Sequence, residues 1–147
     1  VDEYGKTKYY HKSAKLTISG CTNEGTVKKT KEGCNYMNVG GIVAFLNGDQ
    51  DPDNDHIHSA HVIDCTNNAE VINEATGSGD WNSYIGGIVG NHHVKGELKG
   101  CINNGAVINR TEIASTTFVR LRIGGIVGSA ENRKAQSLRQ PAQRRLQ

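Results

Sequence analysis

A chain of 147 residues with 18 glycines, two prolines and 35% apolar residues has the length of one domain and the composition of a turn-rich β protein. It holds no apolar run near the roughly 18 residues that a membrane-spanning helix needs, which argues against membrane insertion. The formal charge of +2 is no sign of nucleic-acid binding, because five of the 17 basic residues fall in 133–147 and the rest of the chain carries more acids than bases.

Residues 1–15 form a lead-in without an initiator Met or the apolar stretch of a secretory signal, so the sequence reads as a piece of a longer precursor. From there to residue 132 two short signatures alternate. The first is "CTNEGTV" at 21–27, "CTNNAEV" at 65–71 and "CINNGAV" at 101–107; the second is Gly-Gly-Ile-Val at 40–43, 86–89 and 124–127. Together they mark repeats at about 16–46, 60–90 and 96–128. Apolar residues stand three before each cysteine (Ile18, Val62, Leu98) and six after it (Val27, Val71, Val107). The cores are short, β-branched and bounded by Gly and Asn, as strands are. A repeat of this period buries its apolar residues only by stacking on its neighbours, so the two apolar rows should both face inward. Read as a continuous strand, "IGGIVG" alternates large and small residues on its two faces, with Val89 buried and the glycines admitting a neighbouring layer.

Asn23, Asn67 and Asn103 stand at the same place in each repeat, where a corner between strands suits Asn and Gly. Stacked in register they could form an amide ladder; three independent turn residues would account for them equally. Cys21, Cys65 and Cys101 also share one position, which favours buried free thiols over disulfides, while Cys34 lies outside the repeat and is the candidate reactive thiol.

The most unusual local stretch is "GDQDPDNDHIHSAH", 48–61. Asp49, Asp51, Asp53 and Asp55 could wrap a Ca²⁺, and the histidines after them could hold a transition metal, although no glycine turn or closing Glu completes a calcium loop. A solvated acidic loop needs no cofactor. His92 and His93 read as exposed turn residues. The aromatics Tyr36, Trp81, Tyr84 and Phe118 gather just ahead of the Gly-Gly strands. In "GSGDWNSY" the only Trp could stack on a sugar ring beside Asp80, Asn82 and Tyr84, or simply shield a strand entry. The tail 133–147, rich in Arg and Gln, reads as disordered or foreign to the domain.

The alternation of "GGIVG" with "CxNxGxV" over 16–130 resembles the GLUG repeats of large bacterial surface and secreted proteins, among them adhesin-like proteins and the region ahead of the catalytic domain in some IgA-cleaving metallopeptidases. The resemblance implies a right-handed parallel β-solenoid and a cell-surface or secreted location, and it brings no catalytic residues. The expected fold is therefore all-β, a solenoid of about three repeats. The expected role is a non-enzymatic stalk, spacer or adhesive module, with neighbouring repeats and an extracellular glycan or host protein as partners. A carbohydrate-active solenoid, a lyase or hydrolase using Asp80, Trp81, Arg120 and Arg122, and a calcium-stabilised binding module are the alternatives. Neither end shows an obvious polar cap, so an isolated fragment is expected to associate end to end.

Overall fold

A computed structural model describes residues 15–30, 36–47, 58–75, 81–110 and 119–130. They form three coils of five strands. The first coil is β1 (Lys15–Ser19), β2 (Thr22–Asn23), β3 (Val27–Lys29), β4 (Tyr36–Gly40) and β5 (Val43–Asn47). The second is β6 (Ser59–Ile63), β7 (Thr66–Asn67), β8 (Val71–Asn73), β9 (Trp81–Gly86) and β10 (Val89–His93). The third is β11 (Leu98–Lys99), β12 (Ile102–Asn103), β13 (Val107–Asn109), β14 (Val119–Gly124) and β15 (Val127–Ala130). Each coil gives one strand to each of five three-stranded sheets, and every pairing is parallel. The chain is an open parallel β-solenoid.

The register aligns the repeat residues. Ile18, Val62 and Leu98 form one row, Val27, Val71 and Val107 another, and Val43, Val89 and Val127 a third. The first and third rows meet around Ile88 and Cys65 in one apolar cluster, whereas Val71 packs with Val39 and Ile85 in a second. Both expected apolar rows thus face inward, and Val62, Val71, Ile85, Ile88 and Val89 of the middle coil are fully or almost fully buried. Each such side chain contributes roughly 1.5–3 kcal/mol.

Gly-Gly-Ile-Val is not one continuous strand. It holds a corner: β4, β9 and β14 end on the first glycine and β5, β10 and β15 begin at the valine. A Cβ on Gly40, Gly86 or Gly124 would collide with the carbonyl oxygen of Val43, Val89 or Val127, so only glycine closes this reversal. The second glycine serves the following coil, since a Cβ on Gly41 would meet the Asn67 amide and one on Gly87 the Asn103 amide. The fifth position serves the preceding coil: a Cβ on Gly90 would come within 2.8 Å of the Val39 backbone nitrogen, and one on Gly128 within 2.6 Å of that of Ile85. The second and fifth positions do admit neighbouring coils, one the coil after and the other the coil before, while the first glycine closes its own turn.

Among the described residues, the left-handed position that recurs in every coil lies one residue before the cysteine, not at the Asn-Gly pair: Gly20 (φ 63°), Asp64 (φ 52°) and Gly100 (φ 64°), with Gly96 (φ 141°) a further positive-φ residue ahead of β11. Of the aligned thiols Cys65 is buried, Cys101 half-buried and Cys21 exposed, and all three are free. The expectation of buried thiols therefore holds only where a coil lies on both sides. His92 and His93 correct the turn reading: both belong to β10, His93 is half-buried, and His92 is 4% exposed with its Nε2 3.0 Å from the Ala60 carbonyl oxygen. Asp49, Asp51, Asp53 and Asp55, Cys34, Phe118, the lead-in through residue 14 and the tail 133–147 lie outside the described residues.

Candidate functional site

Two constellations stand out, one inside the solenoid and one on its surface. The inner one is the asparagine column. Asn23 Nδ2 donates to Asn67 Oδ1 at 2.7 Å, and Asn67 Nδ2 to Asn103 Oδ1 at 2.7 Å. Each amide also grips its own chain two residues on, donating to the carbonyls of Gly25, Ala69 and Gly105 and accepting from their N–H groups. Ladder and turn are thus the same residues: the amide ladder is realised, and the turn asparagines are not independent of one another. Asn67 uses all four of its hydrogen-bonding sites, which permits an amide to be 0% exposed. A second column joins Asn73 to Asn109 at 3.1 Å and to Ser83 Oγ at 3.1 Å; a third, on the surface, runs from Asn104 through Asn68 to Glu24.

The surface constellation lies on the sheet of β4, β9 and β14. Alternate residues Met37, Ser83 and Leu121 turn toward the interior, while Asn38, Tyr84 and Arg122 stand in one row of the opposite parity and Asn82 pairs with Arg120 in the next. The Arg122 guanidinium lies 5.6 Å from the centroid of the Tyr84 ring and donates to Ser129 Oγ at 2.8 Å, so it reaches from β14 to β15 while facing an aromatic ring. Arg120 and Arg122 are exposed, Asn82 and Tyr84 half-buried. The structure thus brings together four of the polar and aromatic residues singled out in the sequence: Asn82 and Tyr84 with Arg120 and Arg122. Trp81 begins β9, and its backbone pairs with Val119; Asp80 lies outside the described residues. The Tyr84–Arg122 pairing was hidden in the sequence because it depends on a 38-residue register across a loop of different length.

Glu74 carries the clearest electrostatic feature. Arg110 Nη1 lies 2.9 Å from its carboxylate and Lys28 Nζ 3.4 Å, one from the third coil and one from the first. The hydrogen bond from Arg110, then the charge of Lys28, hold the carboxyl below its ordinary range despite some desolvation. His61 Nδ1 stands 3.7 Å from Glu97. Among the described residues no group of three or more His, Cys, Asp or Glu side chains is placed to hold a metal ion.

These features define a repeat protein of the parallel β-solenoid class, whose recurring positions are filled by Cys, Asn, Gly and Val. Compared with family models, curated proteins and solved structures, the chain gives no match. Among the described residues no helix is long and apolar enough to cross a membrane.

Proposed function

We propose that the chain is a non-enzymatic repeat segment of a bacterial cell-surface or secreted protein, a spacer that also presents an adhesive face to a glycan. The observation that carries the adhesive part is the Asn82, Tyr84, Arg120 and Arg122 surface. A sheet face with an aromatic ring, amides and two guanidinium groups suits a polysaccharide, and the arginines favour one that bears carboxylates or sulfates. The spacer part rests on the stack itself, since coils joined by parallel pairing and amide columns make a stiff rod from short sequence. The bacterial surface location rests on the likeness of "GGIVG" and "CxNxGxV" to GLUG repeats.

The test is binding of an acidic and a neutral polysaccharide to the whole chain, with product size followed in parallel. The reading expects binding of the acidic polymer with no change in its length, and loss of binding in Arg122→Ala with Tyr84→Ala while the melting temperature holds. Shortened polymer would overturn the non-enzymatic reading in favour of a lyase or hydrolase.

A further inference from the structure

We infer that the solenoid is directional: the face of its third coil is a docking surface for a fourth coil of the same repeat class, whereas the face of its first coil is built to end the stack. Aligned positions depart from the repeat pattern at the first coil and keep to it at the third.

A coil meets the one after it through its ladder Asn and the second glycine of Gly-Gly-Ile-Val. The third coil keeps both. Asn103 Nδ2 donates to Gly105 O but, unlike Asn23 and Asn67, has no second acceptor among the described residues. A Cβ on Gly125 would meet nothing within 4 Å, where Gly41 and Gly87 are covered by the amides of Asn67 and Asn103. Ile123 is 49% exposed although its row partners Ile85 and Val39 are 0% and 3% exposed. A fourth coil with an Asn at the ladder position would accept a hydrogen bond from Asn103 Nδ2 on its Oδ1, lay its amide on Gly125 and cover Ile123, continuing the contact already seen between the second and third coils.

A coil meets the one before it through the glycine at the fifth position, and here the first coil departs. Ala44 stands where the second and third coils have Gly90 and Gly128, whose Cα atoms lie against the backbone of the preceding coil. In the other rows Glu24 replaces Asn68 and Asn104, Lys28 replaces Ile72 and Ile108, and Lys29 replaces Asn73 and Asn109. In the surface column each later amide donates to the earlier residue, and the carboxylate of Glu24, which only accepts, has no hydrogen bond to donate to a preceding coil. Lysines on the outermost rung also blunt a sheet edge. The first coil is therefore a poor occupant for the third-coil face, contrary to the end-to-end association of identical chains expected from sequence.

The experiment extends the full chain by one coil at either end. A duplicate of residues 94–130 inserted after Glu131 should dock: the urea slope should rise, since more surface is exposed on unfolding, and the β14 amides should exchange more slowly. The same insert carrying Asn103→Ala and Gly128→Ala should give neither change. A duplicate of residues 59–94 placed before Lys15 should remain protease-sensitive and leave β4 exchange as it was. In the chain without an insert, Gly125→Val should keep the fold, and combined with the added coil it should abolish the gain. Ile123→Lys serves as a second blocking variant. Equal gains at both ends, no gain at the third-coil end, or head-to-tail oligomers of the unmodified chain in sedimentation would each overturn the inference.

Discussion

Asn67 shows how a polar side chain becomes a core residue. Its amide closes the turn of its own coil through Ala69 and ties the coils on either side through Asn23 and Asn103. Replacing it by Ala removes these bonds at once and leaves the Asn23 donor and the Asn103 acceptor without their partner. Asn67→Ala should therefore cost on the order of 2–4 kcal/mol, read as a lower urea midpoint. Glu74 works in solvent instead, and its effect appears in the pH dependence. Because Arg110 and Lys28 lower its folded pKa, the stabilisation is fully present above the ordinary carboxylate value of 4.5 and is lost as pH falls through the folded value. Glu74→Gln should flatten the decline in stability below about pH 4.5 while leaving its shape at neutral pH unchanged, as measured by urea titrations across the acid range.

Among the elements, the corners decide more than the strands. Several strands are only two or three residues long, so a strand such as β7 or β12 has little stability of its own and is placed by the turns around it. The corner before each cysteine needs a left-handed residue, and the second coil meets the need with Asp64 where the others use Gly20 and Gly100. Asp tolerates this region better than most residues but still retains a Cβ. Asp64→Gly should raise stability by about 0.5–1 kcal/mol with an unchanged urea slope, because relief of the strained φ outweighs the extra freedom of the unfolded chain. A fall in midpoint would show that the Asp64 side chain contributes a contact that outweighs the strain.

On the scale of the whole molecule, stability is a matter of neighbours. The middle coil is covered from both sides and holds most of the fully buried side chains, while Leu16 and Phe45 on the first coil and Ile102 and Ile123 on the third are exposed. Native-state hydrogen exchange should therefore be slowest in β6 to β10 and faster in the edge strands β1, β11 and β14. Uniform protection across the three coils would indicate a single cooperative unit in place of a stack of coupled ones.

The repeat, the all-β solenoid and the two inward apolar rows were legible in the residues alone, because stacking in register forces like positions together and the Cys, Asn and Val spacings survive the change in repeat length. The sequence also pointed to Asn82 and Tyr84 as surface candidates. The packed coils were needed to reveal that Gly-Gly-Ile-Val is a corner, that His92 is buried, and that Arg122 faces Tyr84 and reaches Ser129. They also separated three tasks among the glycines. The reason is physical: a pattern of residue types records that a position needs a small side chain, but not whether the atom crowding it belongs to its own turn, the coil before or the coil after. Only the coordinates of neighbouring coils distinguish Gly40, Gly41 and Gly90, and only that distinction reveals why Ala44 is allowed where it stands.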